Sequence, residues 1–236
     1  MVLGKDEGTT MCSLISVVVP IHKEQKELPM VRRQLHRATT PIEIIYVIHD
    51  ELREDLLIPA SNECIIRIRN RGRGYMLREG TRHVKGDIIM FLHSDTLLPN
   101  NWDIIIRRAM QDKNVIGGGF SLQFDRDYLY FTLKLKMVTI IVRLTKVLTG
   151  DRAVFLRFQP FQNDLSILEM PIMEDIELSY WMKKHGKVIL LRDAVITSAD
   201  AFVRHGLLRQ TWRIILCLLW HIIGRNPQEI YKYYYS

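Results

Sequence analysis

Between residues 14 and 100, short apolar runs rich in β-branched residues alternate with stretches of helical periodicity. No other feature of the chain constrains its fold as much, because strands separated by helix-length segments specify βαβ units around a mostly parallel sheet. Residues 15–19 form a first strand stopped by Pro20, and Leu28, Val31 and Leu35 follow at helical spacing with Pro29 in the first turn. Residues 42–48 read as a second strand, 64–68 alternate as a third, 75–84 read as a helix, and 87–92 form a fourth strand. That fourth strand is continuously apolar after its first residue, which implies burial on both faces. Beyond Asn100 the pattern gives a helix to about residue 112, a strand opening at Gly117, an apolar and basic stretch over 128–148, and a strand over 153–158. A helix from Glu174 to His185 ends at Gly186, 188–191 and 195–197 are extended, and helices from about Gly206 and Pro227 close the chain. No repeat, low-complexity tract or Gly/Ser linker divides it, so 1–13 is expected to be a lead-in and 14–236 a single α/β domain.

With 47% hydrophobic and 25% charged residues over 236 positions, the chain is able to bury one large core. Its 33 Lys and Arg against 26 Asp and Glu leave a net charge of +7, which favours nucleic acid, a phosphate-bearing substrate or a membrane surface as partner. The excess sits in residues 67–87, 126–157 and 204–236, while acids gather elsewhere in short clusters. No RNP, KH or zinc-finger signature accompanies it, so no nucleic-acid partner is expected. Cys12, Cys64 and Cys217 are odd in number, far apart and outside any CxxC or Cys/His spacing, which fits a reducing cytosol rather than a disulfide framework or zinc site. The start of the chain carries Lys5, Asp6 and Glu7 and no apolar core, so no secretory signal is expected. The longest apolar run, 214–223, is interrupted by His221 and is about half of the roughly 20 residues a bilayer-spanning helix needs.

Open α/β sheets bind ligands at the carboxyl ends of their strands, and three local patterns there carry chemistry. Asp95, in His93-Ser94-Asp95-Thr96, follows a buried strand and suits Mg²⁺ or Mn²⁺, which take one or two protein carboxylates and complete the shell with phosphate and water. Alone it reads better as the Asp of a β-turn with Thr96 and Pro99. Glu174 and Asp175 begin a helix, where they serve as capping acids or, beside a cleft, as a general base. Arg69 to Gly74 alternates guanidiniums with small residues, either a solvated turn or a site for phosphate oxygens.

In order along the chain these pieces resemble the family 2 inverting, nucleotide-sugar-dependent glycosyltransferases of GT-A fold, and more narrowly their compact bacterial and archaeal subfamily. The matching residues are Ser16 to Pro20 with Glu24, Arg71 to Arg73, Gly86-Asp87 with Phe91 to Thr96, Gly150-Asp151, Met173 to Leu178, and Thr197 to Ala199 with Gly206, covering 14–230. The resemblance implies a hexosyltransferase using a UDP- or GDP-sugar. Pro20 and Glu24 would line the nucleotide pocket, Arg73 would reach the nucleotide or its phosphates, and Asp95 would hold Mg²⁺ or Mn²⁺. Asp175 would be the general base, Glu174 would place the acceptor, and Asp151 would stand on the acceptor side.

Several positions depart from the family pattern. His93 replaces the first acid of the metal motif, and Lys23 replaces an Asn before Glu24. An acidic pair followed by Gly-Ser is usual after the second strand; here the stretch is Val47-Ile48-His49-Asp50-Glu51, leaving Asp50 as the substitute reader of the base. Arg152 and Asp200 stand where Gln and Arg are more frequent, which marks a changed acceptor or reduced activity. A different class is a non-catalytic anion- or nucleic-acid-binding module, or a degenerate transferase-like one. The basic amphipathic stretches 128–148 and 209–225 either pack on the sheet or lie in a membrane interface. The second alternative would suit a lipid-linked acceptor and a cytoplasmic protein at the inner membrane face.

Overall fold

The computed structural model describes residues 13–23, 26–53, 57–69, 72–126 and 129–235. Most of the expected lead-in, together with Glu24 and Arg71, lies outside the described residues.

The alternation read from the sequence builds a parallel half-sheet. Strands β1 (Ile15–Ile21), β2 (Ile42–His49), β3 (Glu63–Ile68) and β4 (Ile88–Phe91) run parallel, with β1 between β2 and β4. Helix α1 (Leu28–Leu35) joins β1 to β2, α2 (Arg73–Thr81) joins β3 to β4, and α3 (Trp102–Ala109) follows β4. Strand β1 runs through Pro20 instead of stopping at it. Val18 accepts from the Leu92 N–H at 3.0 Å, so the backbone of Pro20, two residues on, faces the same side, where the pairing with β4 ends at Val18. The missing N–H of proline therefore removes no ladder bond.

The second half closes the sheet in the order β3-β2-β1-β4-β6-β5-β7. Strand β5 spans Val115–Phe124 and β7 spans Lys187–Thr197, paired in parallel. Between β4 and β5 lies β6, only Phe155–Arg157 and antiparallel to both. The strand expected over 153–158 is shorter because Ala153 adopts a left-handed φ of 47° and α5 (Phe158–Phe161) begins immediately after it. The two extended segments expected before residue 198 are one strand, and the polar Arg192 and Asp193 that split the pattern lie opposite a register shift between Gly119 and Ser121. Helices α4 (Leu129–Thr145), α6 (Glu174–His185), α7 (Asp200–His205), α8 (Leu207–Ile222) and α9 (Pro227–Tyr235) complete the chain.

Both faces of the sheet are covered. Val17, Val19 and Ile21 of β1 pack with Val31 of α1 and Ile106 of α3, while the alternate residue Val18 packs with Met76 of α2 and Met182 of α6, as the two-residue period of a strand requires. Each such fully buried side chain contributes about 1.5–3 kcal/mol, which fixes the strand ends and hence the side chains just beyond them.

Candidate active site

At the carboxyl ends of β1, β2 and β4 the chain turns out as Pro20–Lys23, His49–Glu51 and His93–Asp95. Three adjoining cavities of about 310, 280 and 300 Å³ open there, and Arg73, His93 and Tyr235 border all of them. The first is lined by Pro20, His22, Lys23, Asp95, Asp200 and Arg213. The second is lined by Thr149, Gly150, Asp151, Glu174, Asp175 and Ile214, and the third by His22, His49, Glu51, Gly72 and Tyr231.

Helix α6 delivers the two acids. Met173 takes a left-handed φ of 67° just before it, and its carbonyl accepts the N–H groups of Ile176 and Glu177; the helix thus starts abruptly with Glu174 and Asp175 in its first turn. Asp175 accepts from the Gly150 N–H at 2.7 Å and from the Ile176 N–H at 2.9 Å. Burial, reinforced by the neighbouring Glu174 charge, raises its carboxyl from 3.8 to about 6 against the opposing pull of Arg73 and the Gly150 N–H. Glu174 is nearly fully buried and accepts a charge-assisted hydrogen bond from Arg73 Nη1. Arg73 Nη2 also lies 3.4 Å from the Gly150 carbonyl. A Cβ on Gly150 would sit 2.4 Å from both terminal nitrogens of Arg73, so a side chain there and the ion pair exclude each other.

The glycines around Arg73 are set by close backbone approach. Gly72 adopts φ +118°, and a Cβ on Gly74 would lie 2.2 Å from the Met170 carbonyl and 2.5 Å from that of Leu168. Their close approach is to the backbone before α6, and it holds Arg73 against Glu174.

Around the first cavity, burial pushes the Asp95 carboxyl up, and Asp95 forms no ion pair among the described residues. Burial, with the charge of Arg73 and the proximity of His22, holds the His93 imidazole well below its ordinary value, and its Nε2 is buried without a hydrogen-bond partner. No cluster of three or more His, Cys, Asp or Glu with metal-ligating spacing exists among the described residues. A carboxylate in no ion pair among the described residues fits a hard divalent ion that takes one or two protein carboxylates and leaves the rest of its shell to phosphate and water.

The structure thus brings Pro20, Arg73, Asp95, Asp151, Glu174 and Asp175 to one connected cleft. Asp151 accepts from Thr149 Oγ1 at 2.5 Å on the wall of the second cavity. Asp50 is not among them: it is exposed, lies 3.4 Å from Arg69, and lines none of the three cavities, whereas its neighbours His49 and Glu51 do. Asp200 lines the first cavity and accepts from Arg126 at 2.7 Å. Arg152 lies behind the cleft, fully buried, with Nη1 on the Phe120 carbonyl at 3.2 Å and its Nε and Nη2 without partners among the described residues.

Sequence reasoning missed the wall contributed by the last two helices. Gln210 and Arg213 of α8 hold Tyr234 of α9, through its hydroxyl at 3.4 Å and its carbonyl at 3.2 Å. Tyr234 and Tyr235 line the first and second cavities, and burial raises both phenols. The run Tyr233 to Tyr235 was the available signal, but it does not say which cleft the tyrosines meet.

With this geometry, residues 16–160 match glycosyl transferase family 2, and because the match spans more than half of the chain, the protein belongs to that family. The fold is that of the GT-A glycosyltransferases. A mannosyltransferase from Pyrobaculum calidifontis, PcManGT, solved with GDP-Man and Mn²⁺, superposes with a TM-score of 0.62 at 15% identity, covering 86% of this chain and 60% of that one. S. aureus TarS 1–349 solved with UDP gives 0.57 at 14% identity over 78% of this chain and 60% of that one, and with UDP-GlcNAc 0.55 at 14% identity over 78% and 58%. The chain therefore spans about 60% of the length of these solved proteins. No curated protein matches it.

Proposed function

We propose that the chain transfers a sugar from a nucleotide-diphosphate sugar to an acceptor hydroxyl by a single inverting displacement, with Asp175 as general base. The observation that carries this is the Asp175 carboxylate: raised to about 6, it faces the second cavity while the Gly150 N–H holds one of its oxygens at 2.7 Å. A base with a pKa near the working pH is largely ionised and still accepts a proton with useful driving force. The donor occupies the first and third cavities; His49 and Glu51 line the third, read as the nucleobase side, and Lys23 and Arg213 line the first, read as the diphosphate side. The binding of UDP, UDP-GlcNAc and GDP-Man by the similar structures supports this class of donor. Asp95 is the residue that would hold Mg²⁺ or Mn²⁺, which supplies charge neutralisation to the leaving diphosphate when bound. Glu174 positions Arg73 and raises the basicity of Asp175; Asp151 lies on the acceptor's side.

The variant Asp175→Asn should abolish transfer while UDP or GDP binding, read by thermal shift, stays close to wild type. Near wild-type turnover in this variant would remove Asp175 from the role. A screen of UDP- and GDP-sugars with and without Mn²⁺ should give a stabilisation that needs the ion and disappears in Asp95→Ala. A metal-independent shift that survives Asp95→Ala would remove Asp95 as the ion's ligand.

A further inference from the structure

Helix α8 has two unlike sides. On the inner side, Ile214 and Leu218 line the cavity that holds Asp175, Cys217 is fully buried, and His221 Nε2 meets Glu177 at 3.0 Å. At about 100° of rotation per residue, Leu208, Trp212, Ile215, Leu219 and Ile222 fall on the opposite side. They are 77, 63, 41, 50 and 71% exposed. The stripe runs the length of the 16-residue helix, about 24 Å. Helix α4 shows solvent a second group, Met137, Ile140, Ile141 and Leu144, each more than half exposed. Isolated apolar residues on a surface need no explanation, but a continuous stripe marks a contact.

The charges beside these faces identify the occupant. Arg209 of α8 and Lys136 and Arg143 of α4 are exposed beside these faces, and Arg225 follows the end of α8 beside Glu229, the single acid of 204–236; Arg213 faces the cleft instead. A second copy laid on the stripe would set these cations against their equivalents, whereas an anionic lipid surface complements them. No described helix is long and apolar enough to cross a membrane, so the contact is an interfacial one with the helix lying in the plane.

We propose that the outer face of α8 docks on an anionic bilayer surface. The second cavity lies on the other side of the same helix, beside the headgroups, and takes an acceptor hydroxyl carried by a membrane-anchored molecule. Naming that cavity as the acceptor's rests on the glycosyltransferase reading; the docking itself does not.

The test is flotation of the full chain with phosphatidylcholine vesicles containing about a quarter phosphatidylglycerol, compared with phosphatidylcholine alone. The wild type should float with the anionic vesicles at low salt and be released at high salt. Trp212→Ser combined with Leu219→Ser should weaken this at least about tenfold, with melting temperature and UDP or GDP binding unchanged, since neither residue lines a cavity. Absence of flotation, equal flotation of the variant, or a wild-type dimer that the variant converts to monomer would each overturn the proposal. Loss of nucleotide binding in the wild type would instead refute the transferase reading and leave the flotation result standing.

Discussion

The acid read as the general base is also a burden on the fold, and replacing it should make the protein more stable. The Asp175 carboxyl rises from 3.8 to about 6 on folding, so the folded state binds its proton more tightly than the unfolded chain does. For a raised carboxyl, the penalty of ionisation is absent below the unfolded value of 3.8, grows between 3.8 and about 6, and is fully present above it. At about 1.36 kcal/mol per pKa unit the full penalty is about 3 kcal/mol. In Asp175→Asn the amide oxygen keeps the Gly150 N–H but gives up the bond to Ile176, which returns about 1 kcal/mol; Arg73 retains its pair with Glu174. A net gain of about 1–2 kcal/mol at pH 8 corresponds to about 3–6 °C for a chain of this size. Thermal melts of wild type and variant at pH 8 and pH 4.5 provide the measurement. The variant's advantage should appear at pH 8 and vanish or reverse at pH 4.5. A difference that is the same at both pH values, or a variant that melts lower at pH 8, would refute the reasoning from burial and the Glu174 charge.

The rate of transfer at low substrate should rise with unit slope up to about pH 6 and then level, since Asp175 must be ionised. In Glu174→Gln that midpoint should move down because a neighbouring charge is removed, and a profile flat from pH 5 to 8 would contradict the assignment. Gly150→Ala places a Cβ 2.4 Å from the terminal nitrogens of Arg73. Those nitrogens are the far end of a flexible side chain, so folding should survive while turnover falls about a hundredfold; unaltered turnover would show that the Arg73 position is unimportant. Arg152→Gln removes a buried guanidinium that has two unpartnered nitrogens and should raise stability by about 1–3 kcal/mol, read as a higher melting temperature; a lower one would mean that the cation is compensated.

Local patterns carried the elements whose determinants are local. Helix α6 spans the residues its spacing, acidic start and terminal Gly186 predict, and β1, β2 and β4 follow their apolar runs. The direction of β6 was not legible, because three residues between β4 and β5 carry no mark of antiparallel pairing; that is set by the neighbours. The acidic pair Glu174 and Asp175 could be picked out because a helix start is a local feature, whereas the choice of Asp175 between them came from the resemblance to the family. The partnership of Arg73 with Glu174 joins residues 101 apart, and the packing of Gly74 against the Leu168 and Met170 carbonyls is equally non-local. Tyr234 and Tyr235 were equally hidden: a run of tyrosines at a helix end signals burial against something, and only the return of α8 and α9 over the strand ends shows what.

Arg73, His93 and Tyr235 are party walls of all three cavities. The chambers are consequently not separate accounts of occupancy. On the proposed reading, a diphosphate drawn toward Arg73 would act on the same guanidinium that touches Glu174, and through it on Asp175, so that two substrates in such a site would sense each other through shared side chains.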